Sequence, residues 1–267
     1  MSGVDTGGAG AGSDVRSAWL DRINPVTKVV IVLVLAAPLL VSIDAVSAAT
    51  ALLLELLCVP LTGLAYATVL RRLVPVLVFA PVAAMSMLLY ARPGGTVYGT
   101  FLFATVSDDS IALSVAVFVR VIALALPMIL LFAHTDPTEL ADALAQVARL
   151  PSRFVLGVLA GARTVGLFVD DWRTMSLAHR ARGLGDRGAV RRFFSMAFVL
   201  LVFAVRRGTT LATAMEARGF GADIERTWAR PSTLSGWDAV TLGGAVALVA
   251  VALGAAVLTG AFRVVGT

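Results

Sequence analysis

The chain has 267 residues, of which 58% are hydrophobic and only 15% are charged. Soluble globular domains carry about 25% charged residues, so this composition and the mean hydropathy of +0.89 exclude that class and predict an integral membrane protein. The net charge of +5 does not indicate a nucleic-acid partner, because Lys and Arg in membrane proteins mark the cytoplasmic side. The single cysteine, Cys58, excludes an internal disulfide and a cysteine-based metal cluster.

Five segments beyond the N-terminal tail are long and apolar enough to cross a bilayer. Residues 1–18 are rich in Gly, Ala and Ser without the apolar core of a signal peptide, and we expect a disordered cytosolic tail there. Crossing the hydrocarbon core as a helix takes about 20 apolar residues. The predicted spans are Val26–Ile43, Ala45–Tyr66, Leu73–Ala91, Ser110–Ala133 and Ala239–Phe262. The first four fall in a membrane region at 19–133, and the last in a region at 237–267.

The flanking charges predict the orientation of these spans. Basic residues precede the first span, and Arg71 and Arg72 follow the second, whereas the loop after the third carries Asp108 and Asp109. Because Lys and Arg are concentrated in cytoplasmic loops, this alternation places the N-terminus inside the cell. We therefore predict a multi-pass protein of the bacterial cytoplasmic membrane.

The segment 134–236 differs from the rest because it holds 14 of the 22 Lys and Arg residues. Its apolar stretches, 154–169 and 193–205, both end in charge and are short for spans, which favours helices that lie along or just under the bilayer. Asp136-Pro137 and Pro151 predict two helix starts, and a third helix should run from about Arg191. The predicted fold is therefore all-α, with about five membrane helices and a cytosolic helical domain.

Two of the predicted cytosolic helices end in the same tripeptide, Ala-Arg-Gly. A glycine just past the last turn is typical of a helix C-cap, and an arginine there interacts favourably with the helix dipole. One such end is commonplace, but two near-copies also suit a pair of arginine forks that enter acidic pockets on partners. The residues are Ala181, Arg182 and Gly183, followed by Glu216, Ala217, Arg218 and Gly219.

These motifs resemble those of the T components of energy-coupling factor (ECF) transporters, of the EcfT and CbiQ type. WLDRINPVTKVV is similar to the family's entry into its first span, AHTDPTELADAL to the start of its cytosolic domain, and AMEARGFG to its second Ala-Arg-Gly signature. The resemblance covers residues 19–262.

The resemblance implies a transmembrane coupling subunit of an ABC importer for vitamins or metal ions, such as cobalt or biotin systems. Arg182 and Arg218 would seat in two ABC-type ATPase subunits, with Glu216 orienting Arg218 or touching the ATPase. The apolar coupling helices would meet a small substrate-binding S component. The substrate itself stays open, because specificity in this family resides in the S component.

The sequence argues against a catalytic role. There is no P-loop, and the G-x-G-x-x-G string at 183–188 follows a charged helix end rather than a strand. His134 and His179 are too far apart in sequence to predict a metal site. We therefore expect neither cofactor nor metal.

Glu55 and Arg120 lie inside predicted spans, where charge is costly and indicates function or pairing. We favour an interpretation in which they pair with each other or with neighbouring carbonyl groups. They also keep open the alternative of a self-contained secondary transporter or channel. Such a transporter usually contains internal repeats, and none is found among the spans. An ordinary ABC permease is the remaining rival, but it would carry one coupling loop per subunit.

Overall fold

The computed structural model describes residues 20–42, 44–90, 94–101, 104–133, 135–183, 188–221 and 227–260. The N-terminal tail, His134 and the middle of the glycine-rich string after Gly183 lie outside these ranges. The described residues form eight α-helices and one short β-hairpin, which confirms the predicted all-α polytopic class. The helices are α1 (Pro25–Val41), α2 (Ala45–Cys58), α3 (Tyr66–Tyr90), α4 (Asp108–Phe132), α5 (Pro137–Gln146), α6 (Ser152–Ala181), α7 (Ala189–Ala217) and α8 (Gly236–Leu258).

The chain divides into two compact units. The membrane unit consists of Met1–Asp136 and Thr233–Thr267, and the insert unit consists of Pro137–Ser232. The division predicted from charge, at residues 134 and 236, lies next to these bounds. The cytosolic location of the insert unit stays a prediction.

Five helices are long and apolar enough to cross a membrane, as predicted in number, but the set differs. It includes α6, which we had not assigned as a span, and α1 is an apolar helix of only 17 residues, about 26 Å long. Helix α6 qualifies as a span because it runs unbroken for 30 residues, through Arg163 and beyond the charged Asp170 and Asp171. Its hydropathy of 1.4 is the lowest of the five. Five apolar helices of this length agree with the predicted multi-pass membrane protein.

The ends of the membrane helices follow from local sequence signals. The Asn24 side chain caps α1 by accepting from the Val26 N–H, and the Asp44 carboxylate caps α2 by accepting from the Ser47 N–H at 2.6 Å. The helix predicted to reach Tyr66 stops earlier, because Pro60 lies in a 3-10 turn over Val59–Thr62 that ends at Gly63 with φ +74°. The third span begins at Tyr66 rather than Leu73, with Pro75 and Pro81 inside the helix.

A β-hairpin between α3 and α4 was not predicted. Strand β1 (Val97–Phe101) pairs antiparallel with β2 (Ala104–Ser107), with an irregularity between Val97 and Gly99. Valine, tyrosine and threonine, which favour strands, are frequent in this segment, but the sequence analysis took it only as a loop between spans. The hairpin leads directly into α4, where Ser107 and Ser110 form a reciprocal capping box.

Small residues form the centre of the membrane unit. Ala48, Ala51, Ala123 and Ala252 are buried together with Leu39, in a cluster to which α1, α2, α4 and α8 contribute. Small side chains let helix backbones approach closely, which is how helices associate within a bilayer where burial in lipid already satisfies apolar groups.

A buried group of hydrogen bonds around Asp238, the Asp238 clamp, joins the two sequence segments of the membrane unit. The Asp238 carboxylate accepts from the Asn24 N–H at 2.7 Å and from the Ser235 N–H at 2.6 Å, and the Asn24 amide donates to the Thr233 carbonyl at 3.3 Å. Residues more than 200 positions apart are thereby joined at the starts of α1 and α8.

Candidate coupling site

The first Ala-Arg-Gly tripeptide forms the C-terminal end of α6. The Arg182 N–H donates to the Ala178 carbonyl at 3.2 Å, and the Gly183 N–H donates to the Arg180 carbonyl at 3.0 Å. Gly183 has φ +71°, a left-handed conformation that glycine adopts without strain. The predicted C-cap is confirmed, and it leaves the Arg182 side chain exposed at the tip of the helix.

The second tripeptide ends α7 in the same way. The Gly219 N–H donates to the Glu216 carbonyl at 2.9 Å and the Phe220 N–H donates to the Met215 carbonyl at 2.9 Å, while Gly219 has φ +78°. Arg218 is exposed. The two arginines therefore occupy equivalent positions on two capped helix ends.

Within the described part of the chain, neither arginine side chain pairs with an acidic side chain. No acidic side chain there lies within ion-pair distance of the Arg182 or Arg218 guanidinium. Glu216, which we expected to orient Arg218, forms no ion pair with it in the described residues. An exposed guanidinium without a partner keeps all five N–H donors available to another molecule.

Arg218 also borders a groove of about 540 Å³ that the sequence analysis missed. The groove lies between the N-terminal half of α6 and the C-terminal end of α7, with leucines on its walls and Arg163 as a second basic residue. Arg163 is held by donating to the Thr138 hydroxyl at 2.9 Å, and Arg153 donates to the Gly221 carbonyl at 2.6 Å. Two cations beside apolar walls suit a partner segment that carries a carboxylate and apolar side chains.

The two arginine tips are far apart along α6. The groove at Arg218 is lined by α6 residues from Leu156 to Thr164, whereas Arg182 follows the last residue of the same helix. From the middle of that stretch to Arg182 is about 22 residues, or about 33 Å at 1.5 Å per residue. One small acidic pocket cannot contact both tips, so they suit two separate binding sites.

An ion pair and aromatic contacts join α6 to α7 between the two arginine tips. The Arg207 guanidinium lies 3.0 Å from the Asp171 carboxylate and 5.5 Å from the ring of Phe168. The rings of Trp172 and Phe193 pack edge to face with centroids 5.4 Å apart. The sequence analysis had interpreted these charges only as the polar ends of apolar stretches, since their pairing depends on the tertiary arrangement.

Comparison with known proteins identifies the type of protein. The family described as cobalt transport protein, CbiQ, matches residues 16–227, which include both Ala-Arg-Gly tips. The chain belongs to this family. Its relatives include proteins named energy-coupling factor transporter transmembrane protein EcfT from three bacteria.

These relatives match over different shares of their length. The Lacticaseibacillus paracasei protein is 26% identical over 243 residues, which is 86% of this chain and 92% of that protein. The Brevibacillus brevis protein is 25% identical over 246 residues, 88% and 92% respectively. The Limosilactobacillus fermentum protein is 29% identical over 160 residues, 53% of this chain and 60% of that protein. The resemblance to EcfT and CbiQ type components is thus confirmed.

The insert unit of this CbiQ-family chain also exposes much apolar surface. Phe154 and Val158 on α6 are 74% and 72% exposed, and Phe194 and Phe198 on α7 are each 66% exposed. A further groove of about 380 Å³ between α5 and α6 is lined almost wholly by apolar side chains. Contiguous apolar surface of this kind marks a membrane or protein interface.

The intramembrane charges do not pair as we had favoured. Glu55 and Arg120 form no ion pair, and both carboxylate oxygens of Glu55 and the Nε and Nη2 atoms of Arg120 are buried without a hydrogen-bond partner in the described structure. The interpretation that they pair with each other or with neighbouring carbonyl groups is therefore wrong for these atoms. Arg120 is instead within electrostatic range of Asp44.

Proposed function

We propose that this chain is the coupling subunit of an ECF-type ABC importer, in which Arg182 and Arg218 each bind one cytosolic ABC-type ATPase. The observation that carries the proposal is the pair of exposed, unpartnered arginines on two equivalently capped helix ends. Their separation of about 33 Å supports two partner subunits rather than one. The chain itself would hydrolyse nothing.

The packing of α6 on α7 supports a mechanical role for the insert unit. Asp171, Arg207 and the neighbouring rings join the two helices, so a displacement of one arginine tip is passed to the other helix as a movement of packed elements. ATP-driven motion of the ATPases would thereby reach the apolar faces of α6 and α7. Those faces would contact a small membrane-embedded S component, which binds the vitamin or metal ion to be imported.

The proposal is tested by purifying the tagged full-length chain from native membranes in mild detergent and identifying its partners by mass spectrometry. Wild type should retain two ABC-type ATPase subunits and one small hydrophobic protein. The double variant Arg182→Glu with Arg218→Glu should lose the ATPases and keep the small membrane protein.

The control is Arg180→Glu, which makes the charge change of one of the two substitutions at an exposed position in the last turn of α6. It should retain both ATPases. If the control loses as much ATPase as the double variant, general basic charge rather than the Ala-Arg-Gly tips mediates binding. If wild type purifies alone, the coupling role is wrong.

A further inference from the structure

The membrane unit contains a cavity of about 300 Å³, lined by α1, α2, α4 and α8. Most of its walls are leucine, isoleucine and valine side chains. Leu61, Val240 and Gly244 line it and are exposed on the outer surface, so the cavity opens between the end of α2 and the first turns of α8. Its volume is at the lower end of the range for small-molecule sites.

Glu55 is the one acidic side chain in this cavity and it lacks a partner. It is only 3% exposed, and neither carboxylate oxygen accepts a hydrogen bond in the described structure. The two threonines of the wall already donate hydrogen bonds, Thr62 to the Val59 carbonyl at 2.7 Å and Thr241 to the Trp237 carbonyl at 2.9 Å, and the Cys58 thiol, which also lines the cavity, is only a weak donor and acceptor. The unmet hydrogen-bonding capacity of the cavity is therefore concentrated at Glu55.

Among the described residues, no group donates a hydrogen bond to the Glu55 carboxylate. Arg120 forms no ion pair with Glu55, and a second space that Glu55 borders together with Ser47 and Ala51 is only about 10 Å³, room for about one water molecule. A buried carboxylate without a partner is costly by several kcal/mol, and such a group inside a membrane is a functional site by default. The larger of the two spaces that Glu55 lines is the cavity of about 300 Å³, which can admit a donor group from outside the protein.

We propose that the cavity binds an amphipathic primary amine, whose ammonium donates to Glu55 and whose alkyl chain fills the apolar walls. A cation matches the carboxylate in charge, and an ammonium has donors enough for both of its oxygens. The volume accommodates about ten non-hydrogen atoms at about 30 Å³ each. The site lies in the membrane unit and is independent of the proposed coupling function.

The test uses three photoactivatable six-carbon probes that share one chain and one diazirine: an amine, an alcohol and a carboxylate. The full-length protein is placed in phosphatidylcholine nanodiscs, and labelling is mapped to peptides by mass spectrometry. The amine should label the cavity peptides around residues 55–62 and 240–248 at least tenfold more than the carboxylate. Glu55→Gln should reduce the amine to the level of the alcohol.

A second variant fills the cavity with a larger side chain. At both Gly243 and Gly244 an added Cβ meets no atom within 4 Å, but only Gly244 lines the cavity. Gly244→Val should lower labelling by the amine and the alcohol at least fivefold, while Gly243→Val should label as wild type. Elution as a single sharp peak confirms that each variant is folded.

Equal labelling by the three probes, or unchanged amine labelling in Glu55→Gln or Gly244→Val, would overturn the proposal. Native mass spectrometry of the purified protein then separates two sources of the amine. A co-purified aminophospholipid that hexylamine displaces assigns the site to a membrane lipid, and hexylamine binding without such a lipid assigns it to a free amine. Either result supports the amine site.

Discussion

The Asp238 clamp gives the sharpest prediction for stability. Its carboxylate is 5% exposed and accepts from two backbone N–H groups, those of Asn24 and Ser235, and from the Ser235 hydroxyl at 3.1 Å. Asp238→Ala would leave both N–H groups without an acceptor at the junction of α1 and α8. A hydrogen bond to a charged group is worth about 1.5–3 kcal/mol, and the desolvation of the carboxylate offsets part of that gain.

We therefore expect Asp238→Ala to cost about 3 kcal/mol of unfolding free energy. For a chain of this size, 1 kcal/mol shifts Tm by about 2–4 °C, so Tm should fall by about 6–12 °C. Ser235→Ala removes the hydroxyl, with its contacts to Asp238 and to the Arg22 carbonyl, but keeps both backbone donors, and should cost about 1 kcal/mol. Asp21 is exposed, so Asp21→Ala should shift Tm by less than about 2 °C.

The single cysteine supplies the assay. Cys58 is half-buried in the membrane unit, so a maleimide dye that fluoresces on reaction reports its exposure during heating in detergent. A Tm change under 2 °C in Asp238→Ala, or equal losses in Asp238→Ala and Asp21→Ala, would show that the clamp does not stabilise the unit and that this reasoning is wrong.

Three further predictions concern the insert unit. The Gln146 side chain donates to the Arg230 carbonyl and accepts from the Ser232 N–H, both at 2.9 Å, and so holds the segment 227–235. Gln146→Ala should therefore speed proteolytic cleavage within this segment about threefold or more. Unchanged cleavage would show that Gln146 does not restrain the segment. Arg207→Ala should lower the unfolding free energy by about 1 kcal/mol by weakening the α6–α7 contact. Adding Asp171→Ala to this variant should cause no further loss. Additive losses from the two substitutions would exclude a direct interaction between the two side chains. In Gly183→Ala the added Cβ meets no other atom, but alanine adopts the left-handed backbone conformation of Gly183 only with strain. The substitution should lower the unfolding free energy by about 1 kcal/mol. An unchanged thermal melt would refute strain at this cap.

The sequence predicted those features of the fold that depend on local signals. Pro137 begins α5, Pro151 precedes α6, and Gly183 and Gly219 adopt the left-handed caps that follow an α-helix. Each of these residues restricts its own backbone, so no tertiary information is needed to place it. Four of the five predicted spans were located for a similar reason, since apolar length is a property of the segment itself.

The features that were missed depend on which helices become neighbours. The contact between Asp171 and Arg207 joins residues 36 positions apart, and the groove beside Arg218 exists only because α7 returns to the start of α6. Glu55 and Arg120 were expected to pair because opposite charges within a bilayer usually do. Nothing in a single sequence fixes how α2 packs against α4, and that packing decides whether the two side chains meet.

The most direct test of the account is the number of ATPase subunits that each single variant retains. The complex is purified without nucleotide, so that the ATPases do not hold each other through bound ATP, and its subunit ratio is measured by native mass spectrometry. Wild type and Arg180→Glu should carry two ATPases, Arg182→Glu and Arg218→Glu one each, and the double variant none. Two ATPases on every variant, or the loss of both from either single variant, would contradict the claim that each arginine tip binds its own subunit.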